Sequence, residues 1–432
     1  MRKVSPYLKI VLTFLIVILI GTFLLMLPIS MVEGHLNFVD ALFMSTSAVC
    51  VTGLSVIPNI SLEVSLFGKI VLGFLIEIGG LSFITIATFF IVILGGKIGI
   101  NDRFLLKESL NQDSLRGIVA LVKKIILTSF IIQLCGIVLN CFALMPYYDG
   151  FWTILGVSMF HTIASFNNSG LDIFGDSSMV NFAGDWFLNI NTMLLIILGG
   201  LGFYVIDDIL TKRRFKRLNI NSKIVLITTG LLIVGGTLFL KLANNGLTWL
   251  QAMFMSVTSR TAGFATVDCS NLNSAEFAII NFLMFIGASP GSTGGGIKTA
   301  TFFVLMITIF AYAVGKRPIV FKREIEKNTI VKAFALTVTA IMFCGLSIFL
   351  IALFDPELAP KEIIFEVISA FSTTGLSMGA TQKLSIPSEL VISFMMFFGR
   401  LGPLTVLNLI NRNWKTGKDD SIRYVEEKVV IG

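Results

Sequence analysis

One short phrase occurs four times along the 432 residues of this chain: Val51-Thr52-Gly53-Leu54, Asn168-Ser169-Gly170-Leu171, Thr261-Ala262-Gly263-Phe264 and Thr373-Thr374-Gly375-Leu376. An apolar segment of about a dozen residues precedes each copy, introduced by Phe43, Phe160, Met253-Phe254 and Phe365, and a long hydrophobic run follows. Segments that short do not cross a bilayer and read as buried or re-entrant helices. Loop glycines about a hundred residues apart are too widely spaced for a solenoid and suit a module of two spans around a re-entrant segment. Four such modules in one chain can wrap around a single axis. Four loops meeting on an axis inside a membrane describe an ion pathway.

Composition supports the membrane setting, with 55% apolar and 14% charged residues. Uncharged stretches near the length of a spanning helix run over 10–32, 78–96, 125–148, 186–206, 224–240, 299–315 and 333–354. An eighth, 390–410, carries one charge, Arg400. The first stretch is too long to be a cleaved signal peptide and is kept as a span. Lys and Arg crowd the N-terminus, the loops that include Lys107 and Lys212 to Lys223, the stretch 316–332, and the tail beyond Arg412. The alternate loops carry Glu33, Asp40, Asp149, Asp172, Asp176, Asp185, Asp268, Glu276, Asp355 and Glu357. The positive-inside rule then puts both termini in the cytoplasm and the glycine loops toward the outside. The net charge of +7 is therefore topological and gives no reason to invoke nucleic acid. The acids either form a vestibule that concentrates cations or serve ordinary loop solubility.

Enzyme chemistry lacks parts. Cys50, Cys135, Cys141, Cys269 and Cys344 show no metal-ligand spacing, and the two histidines, His35 and His161, lie far apart in sequence. His161, on a pore segment, reads as a packed or locally bonded residue. No Ser/His/Asp set or paired intramembrane carboxylates appear.

The loops do have the parts to handle a cation. A dehydrating cation needs oxygen ligands, and glycine can adopt the positive φ that turns successive carbonyls toward one axis. Val51, Thr52 and Gly53, with Asn168, Ser169 and Gly170, Thr261, Ala262 and Gly263, and Thr373, Thr374 and Gly375, are the expected carbonyl donors. The short helices would direct their negative C-terminal ends at the cavity. Arg260, just before the third triplet, is expected to brace a loop through carbonyls or a carboxylate. Some 24 to 29 residues after each loop glycine comes a second one: Gly79, Gly199, Gly287 and Gly399. In the first two copies close helix packing through small residues accounts for it.

The third copy differs. The run from Gly287 to Thr299 includes Ser289, Pro290, Gly291, Gly294, Gly295, Gly296 and Lys298, which forbids a regular helix. It nearly spells a phosphate-binding loop, but Ile297 displaces the lysine and no strand precedes it. Irregular backbone at membrane depth must border protein or a cavity, so this stretch can obstruct a pathway. Arg400, an ionisable residue within a span, faces the interior or water. It pairs structurally with Glu77 or forms an electrostatic barrier beneath the loops.

The segments 46–54, 259–264, 370–376 and 288–299 together resemble the pore-forming membrane subunit of the Ktr potassium-uptake system, in the Trk/Ktr/HKT superfamily. The similarity extends over essentially the whole length. It implies an all-α membrane protein of four M1–pore helix–M2 repeats, pseudo-fourfold about one central pore. It also implies potassium (K+) entry driven by membrane potential, in some members with sodium (Na+) dependence. The resemblance assigns the residues 287–299 to an intramembrane gate and supports the barrier role for Arg400. Its partners would be a second copy of the chain and a cytosolic KtrA/KtrC-like ring of RCK subunits, on which ATP or ADP would act. The chain begins directly at the first repeat, without the two extra N-terminal spans usual in Trk-type relatives. Asn167-Asn168-Ser169 departs from the Thr-rich form.

The expected division is 1–96, 97–211, 212–316 with the intramembrane loop, 317–411, and a cytoplasmic tail 412–432, whose apolar end suits docking and loose disorder equally. A secondary transporter also uses broken helices, though in two repeats rather than four. A receptor or scaffold is the remaining class.

Overall fold

The structure is a computed structural model and describes residues 6–94, 96, 98–109, 117–175, 178–403 and 405. The tail 412–432 and Asp176 lie outside the described residues. Helix α1 (Pro6–Met26) leads through the short α2 (Phe38–Val49) and one turn, α3 (Ile60–Glu63), into α4 (Leu66–Leu81) and α5 (Phe83–Ile93). After α6 (Ile100–Ser109) come α7 (Ile118–Leu144), the short α8 (Phe151–Phe166), α9 (Trp186–Leu201) and α10 (Phe203–Lys212). The third set is α11 (Ile220–Ala243), α12 (Trp249–Thr258), α13 (Ser274–Phe285) and α14 (Thr299–Ala313). A hairpin of β1 (Ile319–Val320) and β2 (Arg323–Glu324) precedes α15 (Lys327–Phe354), α16 (Pro360–Ser372) and α17 (Ile386–Leu401).

Helices α1, α7, α11 and α15 are long and apolar enough to cross a membrane, and the count reaches six if the bent pairs α4–α5 and α9–α10 are each one span. Only 22–44% of their apolar windows is buried within the molecule. Leu127, Phe130, Val338 and Phe349 point outward, which is stable only where the surroundings are hydrocarbon rather than water. The short helices start at local caps. Asn37 accepts the Asp40 amide, and Thr248 and Gln251 form a reciprocal capping box. Pro360 opens α16 at a position where its missing N–H is no loss.

Each short helix packs on the long helix before it: α2 on α1, α8 on α7, α12 on α11, α16 on α15. The helix after each loop then reaches the next set's short helix. Thus α4 packs on α8, α9 on α12, α13 on α16, and α17 closes the circle on α2. The main core runs through this circle, with Phe43, Phe254, Phe371 and Phe398 buried in it.

The apolar stretches 78–96 and 186–206 are not straight spans. The chain turns by 90° between α4 and α5 and by 97° between α9 and α10. Ser82 at φ 68° and Gly202 at φ 90° occupy the left-handed region, which a right-handed helix cannot pass through. Gly402 at φ 80° ends α17 at the matching place. The inner helix of the first set accordingly begins at Leu66, twelve residues before the charge-free stretch suggests, with Lys69 and Glu77 inside it.

Candidate functional site

The four triplets meet in a closed ring. A Cβ placed on Gly53 would press against the Ser169 carbonyl oxygen, one on Gly170 against that of Ala262, one on Gly263 against Thr374, and one on Gly375 against Thr52. Every approach is closer than 3.0 Å, so each glycine accommodates a neighbouring carbonyl that no side chain would admit. The backbone repeats the same pattern in all four. The first triplet residue (Val51, Asn168, Thr261, Thr373) and the glycine both have positive φ, at 51° and 100° in the first copy and 52° and 89° in the fourth. Alternating left- and right-handed residues turn successive peptide planes the same way, which suits a row of inward carbonyls.

The amides of the loops go backward into their own short helices. Thr52 N–H donates to Ser47 O at 2.8 Å, Ser169 to Ala164 O at 2.8 Å, and Thr374 to Ser369 O at 2.9 Å. In the third loop Ala262 donates to Thr258 O at 2.9 Å. Two serines that sequence reasoning missed complete the anchoring: the Ser47 and Ser369 hydroxyls accept from Gly53 and Gly375 N–H at 3.1 and 3.0 Å. Their signal was a serine six residues before the glycine. With N–H groups satisfied behind the ring, the carbonyls remain for a ligand.

The second glycines seat the helices that follow. A Cβ on Gly79, Gly199 or Gly399 would strike the carbonyl of Val49, Phe166 or Phe371, each four residues before a loop glycine. The close packing expected for two copies therefore extends to the fourth. Gly287 breaks the rule and lies against Gly295.

Above the ring, Gly53, Gly170 and Gly375 open into a cavity of about 420 Å³. Two of the loop acids, Asp172 and Asp268, line it. Others in the described residues do local work instead: Asp185 caps α9, Glu276 closes the capping box of α13, and Asp355 accepts the Ser385 amide. The broad acidic vestibule is thus narrower than the sequence suggests. Burial pushes the Asp172 carboxyl up to about 6, against the opposing bonds from Ser178 and the Phe174 amide.

Beneath the ring lies residues 286–298, joined to three neighbours. Its Ser289 and Thr293 amides donate to Gly200 O at 3.0 Å and Gly199 O at 3.3 Å, and its Gly291 carbonyl accepts from Phe203 N–H. The Gly295 amide donates to Thr373 Oγ1 at 2.8 Å, and Gly294 lies against Thr261 Oγ1, so the loop touches the third and fourth triplets directly. Ser289 Oγ accepts from Thr299 Oγ1 at 3.1 Å, Pro290 approaches Gly202, and Gly296 turns at φ 69° beside Ser372. Lys298 Nζ donates inward to the Gly294 carbonyl at 2.6 Å, so it is not presented to a phosphate. Arg260 does brace a loop, but the one at 287–298: its guanidinium donates to Gly287 O at 3.3 Å.

Arg400 does not pair with Glu77. Its guanidinium donates to the Gly79 and Gly80 carbonyls, the latter at 3.1 Å, reaching across from the fourth set to the first. Glu77 instead accepts from Asn167 Nδ2 at 2.7 Å and Gln133 Nε2 at 3.1 Å. Two amide donors satisfy that carboxylate, and Arg400 finds acceptors in helix-end carbonyls freed by the bend at Ser82. Asn167, singled out only as a departure from a Thr-rich form, thereby ties the second triplet to α4. His161 is packed as expected, bonded to Thr192 Oγ1 at 2.8 Å and flanked by Phe174 and Phe264.

A closed ring of backbone loops inside an apolar, multi-pass helical shell defines a membrane transport protein rather than an enzyme. A family model for the TrkH cation transport proteins matches residues 2–227 and 218–416. The chain is 38% identical to the Ktr system potassium uptake protein B of Bacillus subtilis (strain 168), over 97% of its own length and 95% of the relative's. It is 37% identical to the potassium/sodium uptake protein NtpJ of Enterococcus hirae, over 100% and 98%. The crystal structure of the potassium transporter TrkH from Vibrio parahaemolyticus shares the fold, with a TM-score of 0.73 at 19% identity, covering 96% of this chain and 87% of that one. The chain belongs to this family, as a Ktr/TrkH-type membrane cation transport protein of the Trk/Ktr/HKT superfamily.

Proposed function

We propose that this chain is the potassium-conducting subunit of a Ktr-type uptake system. Potassium ions lose water at the ring, where the carbonyls of residues 51–53, 168–170, 261–263 and 373–375 replace it, and move inward with the membrane potential. The observation that carries this reading is the cyclic contact of each loop glycine with the next loop's carbonyl. The division at 96, 211, 316 and 411 belongs to the same proposal, each quarter supplying one side of the ring.

The loop 287–299, hydrogen-bonded beneath the third and fourth triplets, is the gate, and Arg400 adds a positive charge on the pathway's inner side. Sodium dependence of uptake belongs to the same proposal, and the Enterococcus relative is named for potassium/sodium uptake. Two copies of the chain stand in the plasma membrane with their termini in the cytoplasm. A cytosolic RCK ring that binds ATP or ADP biases the gate.

Rubidium uptake into proteoliposomes under an imposed potassium diffusion potential tests the reading. Uptake that follows voltage supports a pore. Tightly coupled, voltage-indifferent flux would replace it with a secondary transporter, and absence of flux would remove transport altogether.

A further inference from the structure

Nine residues before the loop glycines stand Met44, His161, Phe254 and Glu366, all but fully buried behind the ring. In the first quarter Met44 Sδ accepts from Ser55 Oγ, two residues beyond Gly53, at 3.5 Å. The fourth quarter makes the same contact with a carboxyl group: Glu366 accepts from Ser377 Oγ, two residues beyond Gly375. Its second oxygen accepts from Thr381 Oγ1 at 2.9 Å, and the backbone of Met378 and Ala380 lies close to it. Two hydroxyl donors hold this carboxyl group, and among the described residues no ion pair reaches it. The segment 377–381 is therefore folded around one buried carboxyl group, held by the hydroxyls at its two ends. Its other side faces the mouth of the pathway, since Ser377, Gly379 and Thr381 line the outer cavity with Gly375.

We propose that Glu366 is a positioning residue for ion entry: it fixes the outer lip of the fourth quarter through Ser377 and Thr381 and so sets the affinity with which the mouth takes a cation. This rests on the reading of the chain as a potassium pore. Burying an acid is costly, and a hydrophobe such as Phe254 fills the same place in the third quarter. What the acid adds is two directed bonds to the lip, where Met44 makes one long contact in the first quarter. The lip is thereby rigid on one side of the mouth.

Glu366→Gln keeps one acceptor oxygen and turns an NH2 group on the other hydroxyl, which must reverse from donor to acceptor, so the lip is held more weakly. Rubidium uptake by reconstituted protein should then show KM raised about fivefold or more, the effect of losing roughly one net hydrogen bond, with the maximal rate changed less than about twofold. Ser377→Ala should move KM the same way, and the double variant should be no worse than Glu366→Gln, because the two act through one contact. Wild-type KM in a monodisperse Glu366→Gln protein would overturn the proposal, as would a fall in maximal rate alone. If Glu366→Gln is not recovered folded, Ser377→Ala decides, and an unchanged KM there overturns it. Wild-type protein without any rubidium flux is a different failure, since it removes the pore reading and this inference with it.

Discussion

Replacing one ring glycine by alanine, at Gly263, tests the closed-ring geometry directly. The position has φ 84°, where an L-residue is strained by about 1–2 kcal/mol. The new methyl would also meet the Thr374 carbonyl at less than 3.0 Å, and its backbone neighbours Gly170 and Gly375 leave it no room. Overpacking of that kind costs a further ~1–3 kcal/mol. The sum, about 2–5 kcal/mol, lowers the population of the intact ring by roughly 30-fold to several thousand-fold. The same argument applies at Gly53, Gly170 and Gly375, so all four alanine variants should lose rubidium uptake to a similar extent while remaining folded and monodisperse. Gly345, exposed on α15 with nothing within 4 Å, is the control: Gly345→Ala should gain up to about 1 kcal/mol in stability and keep transport. A ring variant with wild-type uptake would show that its quarter does not close on the next, and the geometry argued above would fail.

Other outcomes follow from single groups. Arg400 opposes a passing cation by about 0.7–3 kcal/mol if the two come within roughly 6 Å, for effective dielectric constants between about 80 and 20. Arg400→Ala should therefore raise rubidium flux at least about threefold; intact protein with unchanged flux would leave Arg400 only the bracing of Gly79 and Gly80. Asp172 is charged above pH about 6 and neutral below it, so its attraction for cations is lost on acidifying the outer side. At roughly 8 Å through water one charge is worth about 0.5 kcal/mol, so KM for rubidium should rise about twofold between pH 7 and pH 5, and Asp172→Asn should abolish that dependence. Thr373→Val deletes the acceptor of the Gly295 amide and should raise basal flux by loosening the loop, which voltage-clamped vesicle uptake would measure.

The ring was legible because its requirement is local and repeated. Each loop needs glycine at one place, and four glycines after four short apolar segments can be read without knowing how they meet. The bends at Ser82 and Gly202 were hidden for the opposite reason: both lie within unbroken hydrophobic runs, and only the backbone angle reveals them. Lys69 and Glu77 interrupt the charge-free stretch and so concealed that α4 begins at Leu66. The expected partnership of Arg400 with Glu77 matched the opposite charges but missed their competitors. Helix-end carbonyls and the Asn167 and Gln133 amides carry no formal charge, so a count of ionisable residues passes over them. Glu366 escaped notice because its partners, Ser377 and Thr381, are ordinary turn residues in sequence.

The segment under the ring belongs to one quarter only, yet it is tied on one flank to Gly199 and Gly200 and on the other to Thr373. Identical subunits can open like an iris, every blade retreating together. As the proposed gate, a single flap is fastened to two unequal jambs, and a passage beneath it would clear from one side. Ions would then leave off-centre, and whichever fastening yields first would set the direction of the swing.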